Sequence, residues 1–209
     1  MPVILTFGDS NTHGSPPVQN APRLNRNERW PCIMLRELGA DWHLIEEGHG
    51  GRTTVHPDPI EGPHKNGIAA LPIILDSHAP IDIITIMLGT NDLKERFSVN
   101  AADIAQSCEK LILLVKASEA GPDGKAPKIL LIAPPAVLEV GRLKLMFRGG
   151  AAKSAMLAEH YANVAKEQNV AFLDAGKIIA SSSIDGIHFD AVQHGKLGIA
   201  VAKAVQAMR

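Results

Sequence analysis

Short runs of apolar residues alternate with longer amphipathic stretches along the chain, and that alternation predicts the elements. Residues 3–7 (VILTF) read as a first strand. Residues 29–38 (RWPCIMLREL) predict a helix, with Pro31 tolerated in its first turn. Residues 42–47 (WHLIEE) predict a second strand, and 66–78 (NGIAALPIILDSH) a helix kinked at Pro72. Residues 81–88 (IDIITIML), β-branched and almost wholly apolar, predict a strand buried on both faces. A long helix is expected over 99–120, a turn over 121–127 (GPDGKAP), and a strand over 128–135 stopped by two prolines. A helix over 151–169, a strand over 170–174 and a final helix over about 190–208 complete the pattern.

Five strands joined by helical crossovers require a parallel sheet covered on both faces. The expected fold is α/β: a single domain, residues 1–209, with three α/β/α layers of flavodoxin-like outline. Repeats, low-complexity tracts and linkers are absent from the sequence. Two long irregular stretches, 48–65 and 134–150, interrupt the pattern, and such loops in a compact α/β domain usually carry function. The second is unusually apolar. Leu138, Val140, Leu143, Leu145, Met146 and Phe147 follow no helical or strand period, so they pack either on their own domain or on another subunit.

Composition narrows the class. A net charge of -1, with no block of like charges, argues against a nucleic-acid or anionic-membrane partner. With 4% aromatics, base-stacking platforms are not expected. The two cysteines, Cys32 and Cys108, are too few and too separated for a disulfide framework or zinc site. No signal-peptide pattern or apolar run of membrane-spanning length is seen, so a cytoplasmic location is expected.

Candidate chemistry collects where ligands bind such sheets, beyond the carboxyl ends of the strands. Gly8-Asp9-Ser10-Asn11 follows the first strand, Gly48-His49-Gly50-Gly51-Arg52 the second and Gly89-Thr90-Asn91-Asp92 the third. Asp185-Gly186-Ile187-His188 comes after the fifth, beyond a short intervening stretch. Each segment alone is an ordinary turn. Together they hold the parts of acyl transfer. Ser10 can be a nucleophile once a base takes its proton. His188 is that candidate base, and Asp185, three residues away, can fix its tautomer. The Ser10 and Gly51 amides and the Asn91 side chain are candidate oxyanion donors. Asn11, His13 and His49 are candidate substrate contacts. Asp9 suits a structural role in the turn. Arg52 suits either an acidic substrate or a salt bridge with Asp9 or Glu47.

The segments FGDSNTHG (7–14), EEGHGGRTT (46–54), IMLGTNDLK (86–94), APP (133–135) and DAG through DGIHF (174–189) make the chain resemble the GDSL-like, or SGNH, hydrolases. The resemblance is strongest to their short bacterial arylesterase and acyltransferase branch. It implies strand order 2-1-3-4-5, a Ser10–His188–Asp185 triad and an oxyanion hole of Ser10, Gly51 and Asn91. It also implies no metal or organic cofactor and a homo-oligomer whose loops narrow the site. Two departures stand out: Asn11 lies where the family name has leucine, and Gly50-Gly51 where close relatives can carry Ser-Ala.

The expected function is therefore a serine esterase acting on small carboxylic esters through an acyl-enzyme, with acyl transfer to alcohols or peroxide. A thioesterase or lysophospholipase, or a carbohydrate deacetylase, would use the same machinery. A flavodoxin-like binding module is the non-enzymatic alternative. Against it, the first loop lacks the glycine pattern of dinucleotide and nucleotide-phosphate sites.

Overall fold

The computed structural model describes residues 1–208. Strands β1 (Val3–Gly8), β2 (His43–Gly48), β3 (Ile83–Met87), β4 (Lys128–Ala133) and β5 (Ala171–Asp174) form one parallel sheet in the order β2-β1-β3-β4-β5. The α-helices among the described residues are α1 (Ser10–His13), α2 (Trp30–Leu38), α3 (Gly67–His78), α4 (Ala101–Ala117), α5 (Gly150–Glu167) and α6 (Ala191–Gln206). The layers and strand order agree with the expectation. Pro72 lies inside α3, which continues through it.

Alternation along each strand explains why the central strands are apolar throughout. Successive side chains point to opposite faces. In β1, Leu5 and Phe7 enter the core formed with α3, α4 and α5, while Ile4 enters the one formed with α2 and α6. Ile84 and Ile86 of β3 part from Ile83 and Met87 in the same way, as do Ile129 and Leu131 of β4 from Leu130 and Ile132. Each large apolar side chain so buried contributes roughly 1.5–3 kcal/mol. A one-residue slip would exchange the two faces, so register is tightly specified. The edge strands β2 and β5 are only half-buried, and β2 is correspondingly more polar, with His43, Glu46 and Glu47.

Helix ends follow local chemistry. Asn100 and Asp103 form a reciprocal capping box at α4, and the Asp190 carboxylate caps α6 by accepting from the Gln193 amide. At the carboxyl edge, β1 and β2 both end in glycine because the chain passes very close. A Cβ on Gly8 would stand 2.7 Å from the Thr12 Cβ, and one on Gly48 would stand 2.6 Å from the His13 Cα. Helix α1 therefore lies directly on the sheet edge, carrying Ser10 at its first position. Cys32 and Cys108 are buried and free. No helix among the described residues is long and apolar enough to cross a membrane.

Candidate active site

Ser10 begins α1, and Asp9 caps it, its Oδ1 accepting the Asn11 amide at 2.9 Å. His188 Nε2 lies 3.0 Å from Ser10 Oγ, and His188 Nδ1 lies 2.6 Å from Asp185 Oδ2. The other Asp185 oxygen accepts the backbone amides of Ile187 and His188, each at 3.0 Å. Burial raises the Asp185 carboxyl, but these bonds and the His188 charge outweigh it, and its pKa falls below the usual carboxylate range. A hydroxyl, an imidazole and a carboxylate brought together from sequence positions 178 residues apart can pass a proton off the hydroxyl.

The loop after β2 reaches the same place. Gly51 adopts φ of +79°, in the region that favours glycine, and lines the cavity over Ser10. Lys65 Nζ holds the preceding turn by donating to the Gly50 carbonyl at 2.8 Å. Further along, the buried Asp92 carboxylate accepts the Thr54 amide at 3.1 Å and its hydroxyl at 2.5 Å. Burial raises the Asp92 pKa against those bonds. The buried Lys94 ammonium ties Asp58 at 3.3 Å and Glu61 at 2.6 Å, and Arg96 adds a bond to Asp58 at 2.9 Å. Burial raises the Asp58 carboxyl too, but the Glu61 and Ile60 amides and Lys94 prevail and pull it down to about 2.

Asn91 also lines the cavity. Its Nδ2 donates to the Arg52 carbonyl at 3.1 Å and approaches Asp9 Oδ2 at 3.4 Å. The second contact is long, so it holds that N–H only weakly. Ser10 is the first helical residue, where the helix supplies no acceptor for its N–H. Burial pushes the Asp9 pKa up to about 6, against the opposing pull of the Asn11 amide and the charge of His188.

The cavity measures about 470 Å³ and is walled by Ser10, His13, Asn91 and His188 with the apolar Leu143, Met146, Phe147 and Ile187. Of the three expected substrate contacts, His13 is on its wall. Asn11 is not: it is buried, and its Nδ2 donates to the Ile187 carbonyl at 3.2 Å. His49 is not on the wall either, standing behind it with its Nε2 3.3 Å from Lys65 Nζ and its ring against His64. Arg52 takes the salt-bridge option with Glu47, at 3.9 Å, rather than facing substrate. Its guanidinium is buried over the Phe7 ring and donates to the Gly8 carbonyl at 2.9 Å and to the Glu47 carbonyl. The apolar loop divides. Phe147 is core, whereas Leu138, Val140 and Leu145 are exposed.

Sequence reasoning passed over Lys65, Arg23 and Arg142. Nothing in their local sequence marks them, although Lys65 and Arg142 lie in the two stretches whose irregularity was evident. Among the described residues, no three His, Cys, Asp or Glu side chains converge to hold a metal ion.

The fold and the strand-end motifs define the class: the chain belongs to the GDSL-like Lipase/Acylhydrolase family, whose model matches residues 6–195. Among its relatives, the aryl esterase of M. smegmatis is 39% identical over 100% of both chains, with a TM-score of 0.95. Est24, a carbohydrate acetylesterase from Sinorhizobium meliloti, is 38% identical over 100% of both chains, also at 0.95. An arylesterase of Vibrio mimicus is 32% identical over 121 residues, which span 56% of this chain and 50% of that protein, so the match covers half of that curated relative's length.

Proposed function

We propose that this chain is a serine esterase that cleaves small carboxylic esters through an acyl-enzyme. The observation that carries this reading is the continuous contact from Ser10 Oγ to His188 to Asp185, at 3.0 and 2.6 Å, on the wall of an open cavity. His188 Nε2 takes the Ser10 proton as Oγ bonds to the ester carbon, and the carbonyl π electrons move onto oxygen. The Ser10 and Gly51 amides and the Asn91 side chain hold that oxyanion. Collapse breaks the bond to the alcohol oxygen, which leaves with the proton from His188. Water then repeats the sequence on the acyl-enzyme, releasing the acid. Asp185 keeps the Nδ1 hydrogen in place throughout.

The apolar wall of Leu143, Met146, Phe147 and Ile187 suits short acyl groups and lets an alcohol or peroxide compete with water as acceptor. The buried free thiols of Cys32 and Cys108 suit the reducing cytoplasm. A second copy of the chain covering Leu138, Val140 and Leu145 would remove exposed apolar surface, which supports a homo-oligomer.

A fluorophosphonate probe followed by peptide mapping tests the core of this reading. The label is expected on Ser10, with a Ser10→Ala variant both unlabelled and inactive on p-nitrophenyl acetate. A label elsewhere, or near wild-type kcat in that variant, overturns the nucleophile. A chain-length series of p-nitrophenyl esters should then show the highest kcat/KM at short acyl groups.

A further inference from the structure

The charged side chains on the cavity wall are Arg23, Lys94 and Arg142 against Glu61, and they differ in how well they are neutralised. Lys94 and Arg96 together face Asp58 and Glu61, two charges against two. Arg23 is not balanced in this way. Its Nη2 stands 3.6 Å from Glu46, whose two oxygens already accept from Arg29 at 2.5 and 2.8 Å. One carboxylate is thus shared between two guanidinium groups. Among the described residues, the carboxylate that Arg142 approaches is that of Asp185, whose Oδ2 lies 3.8 Å away, beyond hydrogen-bond reach, and is held by His188. Both arginine side chains remain open to solvent, Arg23 at 40% and Arg142 at 42%. Lys65, behind the Gly51 turn, spends its bonds on a carbonyl and on His49, neither of them an anion.

The two nearby histidines register the same field. Burial and then the charges of Arg23 and Arg29 lower the pKa of His13, while burial, Lys65 and Arg52 lower that of His49 to about 4. With both imidazoles neutral, the excess charge at the cavity is carried by arginine and lysine.

We propose that this cavity selects esters bearing a second, ionised carboxylate remote from the scissile bond, with Arg23 and Arg142 as its binding residues. This rests on the esterase reading above. Arg23 Nε donates to the His13 carbonyl at 2.6 Å, which leaves its two Nη groups to form a planar fork, and among the described residues neither Arg23 nor Arg142 has a carboxylate engaged in that fork geometry. A concave site with an excess of one sign of charge, here positive, also concentrates counter-charged ligands, and the effect fades with salt. The cavity's apolar side holds the uncharged part of the substrate.

Two pairs of esters, given to the full-length chain, test this: para-acetoxybenzoate against its methyl ester, and mono-p-nitrophenyl glutarate against p-nitrophenyl pentanoate. They place the charge on the alcohol and the acyl side respectively. In at least one pair the anion should be favoured in kcat/KM by roughly 10-fold or more at low ionic strength. Arg142→Gln and Arg23→Gln should each pull that anionic-to-neutral ratio toward the neutral ester, and comparing variant with wild type cancels differences in leaving group. Molar sodium chloride should erode the wild-type ratio, a readout that needs no variant to fold. Neutral esters favoured in both pairs, or a preference unmoved by both substitutions, overturns this proposal while leaving the esterase reading standing. No Ser10-dependent turnover of any of the four overturns both.

Discussion

Replacing Asp185 with asparagine removes one charge while keeping the side chain's shape, and the geometry predicts a specific failure. Asp185 Oδ1 accepts two backbone amides at 3.0 Å each, and Oδ2 accepts His188 Nδ1 at 2.6 Å. Asparagine can keep both backbone bonds only by placing its oxygen at the Oδ1 position, which turns its NH₂ toward His188. Turning the amide over would save the histidine bond but face the NH₂ toward two backbone donors. Each hydrogen bond is worth about 1 kcal/mol net, and each buried donor left unpaired costs about 1–3 kcal/mol, so two bonds outweigh one. The favoured state therefore makes His188 Nδ1 an acceptor and moves its hydrogen to Nε2. That hydrogen faces Ser10 Oγ, 3.0 Å away, and no lone pair remains there to take the serine proton.

The expected loss in kcat is about 10³–10⁴, or roughly 4–5.5 kcal/mol of barrier, with KM little changed. Stability changes in a defined direction. The folded pKa of Asp185 is depressed, so its contribution is present above the unfolded value and is lost as pH falls through the folded one. Asp185→Asn should thus melt below wild type at neutral pH, with the gap closing in acid. Stopped-flow turnover of p-nitrophenyl acetate and a melting series over pH measure both effects. A variant that melts cooperatively yet retains kcat within about tenfold of wild type would refute the tautomer reasoning.

Other perturbations separate the remaining roles. Asn91→Ala should lower kcat by roughly 10²–10³ with KM nearly constant, the pattern for one lost oxyanion donor; a raised KM with intact kcat would make Asn91 a ground-state contact instead. Asp9 in the fold holds its proton up to about 6 against 3.8 in the unfolded chain, so its contribution to stability falls as pH rises through that interval, by up to roughly 3 kcal/mol. Asp9→Asn should accordingly gain stability relative to wild type between about pH 4 and 7, and parallel stability curves would sink this assignment. Asn11→Leu deletes the 3.2 Å bond to the Ile187 carbonyl that ties the nucleophile's turn to the histidine loop; kcat should fall several-fold with KM unchanged, and an unaltered kcat would mean the tie does not position His188. Leu145, exposed at 71%, is the residue to change in the apolar loop: Leu145→Asp should shift the mass measured by light scattering toward monomer. An unchanged oligomer, or a monomeric wild type, would remove that loop from any subunit contact.

The elements legible in the sequence are those whose signal is local. The central strands announce themselves as apolar runs because both faces of β1, β3 and β4 are covered, and α4 and α6 carry their own caps. The strand limits moved by a residue or two, as where the expected 81–88 became Ile83–Met87, because pairing partners and not the apolar run end the ladder. Helix α1 went unread since four residues are too few to display a period. The candidate site was legible for a topological reason: in a parallel sheet every strand delivers its following residues to one edge, so motifs scattered over 178 positions share a neighbourhood. What that rule does not fix is the direction of a side chain or its distant partner. Asn11 turned inward to Ile187, His49 stood behind the wall, and Arg52 lay over Phe7 against Glu47. The loop holding Phe147 and Leu145 sent one into the core and left the other in solvent. Arg23 and Arg142 met at one cavity from segments more than a hundred residues apart. These are choices among long-range contacts of similar local cost, and only the packed chain, with its excluded volume and its charges in place, decides between them.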